Sequence, residues 1–275
     1  MASSIITLLK YKMAFLLSIT SFLCSVFASS FAFNSASVVE RLSAVMSKSA
    51  TVETRFQVPV GYHRVAVESH SFAFYLRNFN LKKEGENVYL FNGQLKNNQS
   101  KPAAVLNIDC GKQDLQQCAD AVMRLRAEYL FSQKRYDEIG FEFLSDKKIH
   151  TLKGFTSQYN EYTIFCTYMN HVFNHANTRS LHHQLKSKNI AKIAVGDVFI
   201  QTGNPYGHAV IVMDVAINNS KEPVFLLAQS YMPAQDIHIL KNTTIPSLGA
   251  WFTLPQSEII STPDWNFTIN DLKAW

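Results

Sequence analysis

Val195-Gly-Asp-Val-Phe-Ile-Gln201, then Gly207-His-Ala-Val-Ile-Val-Met213, is the stretch that decides how this chain is read. Each segment is a short run of β-branched and apolar residues entered through a glycine and a polar residue. That is the pattern of strands that leave tight turns. The link between them carries Gly203-Asn-Pro205, a turn signal. Two more runs of the same kind follow, Val224 to Gln229 and Ile237 to Leu240, with Asn218-Asn219 and Met232-Pro233 in the links. The spacing predicts four successive strands at 195–201, 209–215, 224–229 and 237–240.

Working outward, the pattern upstream changes to helical. Leu115, Cys118, Ala119, Val122, Leu125 and Tyr129 recur at the spacing of one helix face and predict a helix over 113–131. Shorter helices are predicted at 71–79, 163–176 and 180–186. Another is predicted at 37–48, where Ser37 and Glu40 form a capping-box pattern. Strands are predicted at 88–90 and 103–108. Helices first and short strands afterwards give an α+β fold, with helices packed on a curled antiparallel sheet or small barrel. The 275 residues divide into an N-terminal α+β part, 35–150, and an α+β core, 151–275, which together suit one globular unit. On the 113–131 helix, Asp120, Arg124 and Glu128 stand at four-residue steps. They read as a solvated ion-pair ladder in preference to a cleft lining.

The N-terminus reads as a secretory signal peptide over 1–28. Lys10 and Lys12 supply the positive region, Met13 to Phe27 is an uncharged apolar run, and Val26 with Ala28 suits cleavage. The run is short for a membrane anchor, which needs about 20 residues. No later segment is apolar enough to span, so an exported, periplasmic or secreted protein with no membrane span after cleavage is expected. Losing Lys10 and Lys12 lowers the formal charge from +5 to +3. With no run of Lys or Arg, a nucleic-acid partner is not expected.

Three cysteines follow the leader: Cys110, Cys118 and Cys166. An odd number leaves at least one free thiol in an oxidising compartment. Cys110 and Cys118 are near enough in sequence to pair, which would leave Cys166 free; alternatively all three are small buried apolar residues. If its helix starts near Thr163, Cys166 lies in the first turn, where the partial positive charge favours a thiolate. His208 opens a strand beside Gly207, which permits close backbone approach. A thiolate beside an imidazole is the working pair of thiol hydrolases. The expected catalytic set is therefore Cys166 as nucleophile, His208 as base and Gln229 as the group that orients the ring. Asp197, Tyr231 and Gln235 are candidate substrate contacts, although Asp197 also suits a turn cap. His171 and His175 have a zinc-binding spacing but lack a third ligand. No metal and no other cofactor is expected.

The order of these features resembles the NlpC-like cell-wall cysteine peptidases of the papain-like superfamily. The resemblance covers about the last 110 residues and maps onto Cys166, Gly196-Asp197, His208 and Gln229. It implies amide-bond hydrolysis in peptidoglycan peptides. Over nearly the whole chain after the leader, Phe56 to Tyr62, Asp114 to Glu128, Gly196 to Ile200, His208 to Val212 and Leu227 to His238 are similar to the bacterial family called domain of unknown function 4846. That resemblance implies an exported protein without an assigned activity. The sequence therefore points to an exported thiol hydrolase acting on cell-wall peptides. A periplasmic module that holds a glycan or peptide without cutting it, and a purely structural envelope component, are the alternatives.

Overall fold

The computed structural model describes residues 50–275; the signal-peptide reading and the 37–48 helix lie outside the described residues. The described chain opens with α1 (Val52–Arg55), β1 (His63–Arg64), α2 (Phe72–Arg77), β2 (Pro102–Val105) and α3 (Cys118–Ser132). A hairpin of β3 (Gly140–Glu142) and β4 (Ile149–Thr151) leads to α4 (Leu152–Phe155), α5 (Tyr162–His175) and α6 (Thr178–Gln184). Strands then dominate: β5 (Lys186–Ser187), β6 (Val198–Gln201), β7 (His208–Ile217), β8 (Pro223–Gln229) and β9 (His238–Leu240). The last four are β10 (Trp251–Thr253), β11 (Ile259–Ser261), β12 (Asn266–Thr268) and β13 (Leu272–Ala274).

The main sheet runs β2-β9-β8-β7-β6-β13-β5, all antiparallel, with β1 added to β7 and β10 added to β8. It is open, so the barrel alternative is corrected. The reason lies in strand length. β7 gives its first residues to β6 (Gln201 opposite His208) and its last to β1 (His63 opposite Ile217). β8 is likewise shared between β9 and β10. Short strands tile the two long ones, and the ends of the sheet do not meet.

β7 is buried along all but its last residue. α3 lies across β7 and β8, and α2 also packs on β7. Val122, Met123 and Leu125 of α3 and Ala209 to Met213 of β7 belong to one continuous core. On the face of β6 and β7 that carries Phe199 and His208, Phe267 of β12 covers the strands, with ring centroids 6.0 and 5.8 Å away. A strand covered on both faces has to be apolar throughout, which is why the 209–213 run shows no alternation.

Two expected elements differ. Residues 88–90 form only isolated bridges. The Gln99 carboxamide takes both backbone groups of Val88, at 3.0 and 2.9 Å, and so replaces a strand neighbour. The long helix begins at Cys118, not at 113. Asp114 is used elsewhere: its Oδ1 accepts from the Ala234 amide (2.6 Å) and from Gln117 Nε2 (3.0 Å), which holds the preceding turn against the β8–β9 link.

The ladder on α3 is also corrected. Asp120, Arg124 and Glu128 are all buried. Arg124 donates to Glu128 (2.7 Å), to the Gln116 carbonyl oxygen of the side chain (3.1 Å) and to the Tyr162 hydroxyl (3.2 Å). Docking of α5 removes this face from water, so Arg124 and Glu128 are satisfied by each other, by Gln116 and by Tyr162, while Asp120 Oδ2 accepts from the Gln117 amide.

One buried charge cluster pins the helical layer to the sheet. Asp214, fully buried at a bulge in β7, accepts from Arg64 Nε of β1 at 2.7 Å and from Arg77 Nε of α2 at 2.8 Å. Removing the carboxylate strands two cations in a poorly hydrated place. Asp214→Ala is expected to lower unfolding stability by about 3–5 kcal/mol, read from urea denaturation. A loss below about 1 kcal/mol would show that the cluster does not carry the fold.

Candidate functional site

The centre of the site is His208, the first residue of β7. Gly207 brings it there: a Cβ at that position would stand 2.2 Å from the Gln201 carbonyl oxygen, so the chain can turn into β7 here only without a side chain. The imidazole sits edge-on to Tyr231 (5.0 Å between centroids) and close to Trp265 (5.5 Å) and Phe267 (5.8 Å).

Its Nε2 meets Gln229 Oε1, from the end of β8, at 2.8 Å. Gln229 Nε2 donates to Asp264 Oδ2 at 2.8 Å, and Asp264 Oδ1 accepts from Lys101 Nζ at 2.5 Å. The direction of this chain follows from chemistry. An ionised carboxylate only accepts, so the Gln229 NH2 must face Asp264 and its carbonyl oxygen must face the ring. Burial alone would raise the Asp264 carboxyl, but Lys101, Lys96 and the Gln229 amide outweigh it and hold the group below the usual carboxylate range. The neutral imidazole therefore carries its proton on Nε2, leaving the Nδ1 lone pair as the basic site. Burial pushes the His208 pKa down to about 4, with Gln229 and Asp264 opposing.

The cysteine at this end of β7, on a cleft that Gly207 also borders, is Cys118, which the sequence had counted as part of an apolar helix face. It is the first residue of α3, with Gln117 as the cap residue. The Ala209 and Ala119 amides and the Thr178 side chain lie in its surroundings and favour the thiolate. Ala209 directly follows His208 in β7. Burial, with Asp120 adding to it, pushes the thiol up, and those three donors oppose the shift. No hydrogen bond joins the sulfur to the ring among the described residues. Catalytic contacts of this kind commonly tighten only when substrate binds. Cys118 opens into a cleft of about 330 Å³, bordered by Gln117, Thr178, Arg179, Tyr206, Gly207 and Met232.

The structure brings His208, Gln229 and Tyr231 together and leaves the other expected residues elsewhere. Cys166 is one turn into α5, because the helix starts at Tyr162. Its amide is past the free first turn, and its electrostatic neighbours are Arg124, Glu128, Tyr162 and Asp109. None of these surrounds His208, which corrects the expectation that the Cys166 sulfur faces the ring. Asp197 caps its own turn: it accepts from the Ala194 amide at 2.7 Å and from Lys188 Nζ at 2.8 Å, at the end of β6 away from Gln201 and His208. Gln235 is buried and donates to the Pro233 carbonyl. Cys110, Cys118 and Cys166 are all free thiols, so the possible Cys110–Cys118 pairing is not made. His171 and His175 lie against Phe143. Among the described residues no group of three or more His, Cys, Asp or Glu is arranged to hold a metal, and no helix is long and apolar enough to cross a membrane.

Sequence reasoning did not single out Cys118 or Asp264. A signal existed for the first: Gln117 and Asp120 stand three residues apart, a spacing that suits a helix start, and the Gln117 amide donates to Asp120 Oδ2 at 3.1 Å. Asp264 lies in a stretch without periodicity and left no comparable trace.

Over residues 52–274 the chain matches the family described as Domain of unknown function (4846), and it belongs to that family. No curated protein and no solved structure matches it.

The buried titratable groups around the site give a pH dependence of stability with a definite sign. His208 and His238 both protonate near 6.5 when unfolded and near 4 when folded, in each case through burial. They remove stability as pH falls from 6.5 towards 4. Asp120, pushed up by burial to about 8, acts the other way and removes stability as pH rises from 3.8 towards 8. In a stability–pH curve from urea unfolding, His238→Gln is expected to weaken the loss as pH falls from 6.5 towards 4, and Asp120→Asn to remove the loss as pH rises from 3.8 towards 8. Curves parallel to that of the wild type would contradict this assignment.

Proposed function

We propose that this member of a family of unknown function is an exported thiol hydrolase that cleaves amide bonds. Cys118 is the nucleophile, His208 the base, and Gln229 with Asp264 the pair that fixes the ring. One observation carries the reading: a cysteine at the first position of a long helix is held against the residue next to an imidazole, its proton-bearing nitrogen is fixed from behind, and a cleft opens over the sulfur. The N-terminal pattern of Lys10, Lys12 and Met13 to Phe27 supports action outside the cytoplasm. Cell-wall peptides are the amide substrates that fit such a location.

The chemistry follows from the geometry. His208 Nδ1 takes the thiol proton as the sulfur attacks the substrate carbonyl carbon and a C–S bond forms. The oxyanion is met by amides of the first turn of α3, which have no acceptor within the helix. The proton passes from Nδ1 to the departing amine as the C–N bond breaks, leaving a thioester. Water, deprotonated by the same nitrogen, attacks the thioester and releases the acid and the free thiol. Partial positive charge at the helix start stabilises the thiolate.

One observation favours a second reading, a cleft that holds a peptide or glycan without cutting it: burial pushes the Cys118 thiol up, away from the thiolate. The two readings separate by experiment. Iodoacetamide labelling mapped by mass spectrometry is expected to modify Cys118 faster than Cys110 or Cys166 at neutral pH, with His208→Ala reducing the rate. Release of peptide fragments from cell-wall material is expected to be lost in Cys118→Ala and to fall by roughly 10²-fold or more in His208→Ala. Cys166→Ala retains it. Asp264→Asn is expected to lower kcat with little change in KM, since it frees the Gln229 amide to turn. If the labelling of Cys118 is indifferent to His208 and fragments bind without release, the cleft is a binding site.

A further inference from the structure

We propose that Arg179 selects the substrate of this cleft by holding a carboxylate of the peptide beside the scissile amide. This rests on the thiol-hydrolase reading and narrows it to anionic peptides. Arg179 is the one charged residue on the cleft border; the others are neutral carboxamides, hydroxyls, glycines, proline, methionine and the thiol itself. No acidic side chain lines the cleft.

Three observations place the guanidinium on the cleft that the sulfur borders. Thr178, the residue before it, lines the same cleft as Cys118. The Arg179 amide is anchored by Asn177 Oδ1 at 2.8 Å. The side chain reaches across to the β6–β7 link, where Nη2 donates to the Gly203 carbonyl at 3.3 Å. That link ends at Gly207, immediately before His208.

The guanidinium forms no ion pair with any described residue, whereas several other arginines of the described chain do: Arg64 and Arg77 share Asp214, Arg124 holds Glu128 and Arg135 holds Glu138. A guanidinium has five N–H donors in a fork that matches a carboxylate. Only one bond, and a long one, is spent on the protein. The remaining donors sit at an exposed cleft wall beside the nucleophile, where a second, carboxylate-bearing group on the substrate completes them.

Two alkylating reagents of nearly the same size isolate the effect. Iodoacetate carries a carboxylate, and iodoacetamide carries a neutral amide in its place. Both react with the thiolate by forming a C–S bond and expelling iodide, so a change in thiolate population cancels in the ratio of their rates. Site-resolved rates are measured on the full chain for wild type, Arg179→Gln and Arg179→Lys, with Cys110 and Cys166 as internal references. The iodoacetate-to-iodoacetamide ratio at Cys118 is expected to fall roughly threefold to tenfold in Arg179→Gln. Arg179→Lys is expected to keep part of it, and the ratio at the reference cysteines is expected to stay constant. An unchanged ratio at Cys118, with both rates still dependent on His208, overturns the role of Arg179 and leaves the hydrolase reading standing. A Cys118 inert to both reagents ends the hydrolase reading and this proposal with it.

Discussion

The start of α3 is seated against the start of β7, and the rest of the site depends on that contact. β8 pairs with β7 only from Ile211 on, so the first residues of β7 lack that neighbour. The Cys118 sulfur lies in the surroundings of the Ala209 amide there, and a thiol is small and weakly polar enough for the place. The same contact sets the sulfur one residue from His208. Structure and proposed chemistry therefore ask for the same atom in the same place.

Behind the ring, the constraint is one of direction. A glutamine amide can present either end to a histidine, and the two choices leave opposite nitrogens of the ring basic. Lys101 and Asp264 decide between them by holding the NH2 end of Gln229. The pair stands a long way from Gln229 in sequence, on a segment before β2 and on the link into β12. The sheet order brings Lys101 towards Gln229, because β2 joins β9 and β9 joins β8, while Asp264 comes from the link between the two strands of the separate β11–β12 sheet. Fixing the tautomer is thus a consequence of topology more than of any local motif.

The strands were legible in the residues because long buried strands announce themselves: the 209–213 run has no other comfortable place than the middle of a sheet. The helix that carries Cys118 was legible too, but its first residue was not. Leu115 continues the apolar period backwards beyond the true start, and only the tertiary use of Asp114 breaks the helix there. That shift of five positions turned a nucleophile candidate into an apparent core residue. Asp120, Arg124 and Glu128 illustrate the same limit. Four-residue charge spacing is identical on a wet face and on a dry one, and what dried it was Tyr162 from another helix. His208 and Gln229 were found because each sits at the end of a strand that was itself visible. Asp264, on an irregular link, had no such frame.

The electrostatics of the site favour uncharged partners at rest. Burial pushes the Cys118 thiol up and the His208 imidazole down, so a separated thiolate–imidazolium pair is opposed from both sides. A substrate changes this balance if it brings an acyl carbonyl to the sulfur, because proton transfer to Nδ1 can then accompany attack, and the charge develops on the carbonyl oxygen beside the helix start instead of remaining on sulfur.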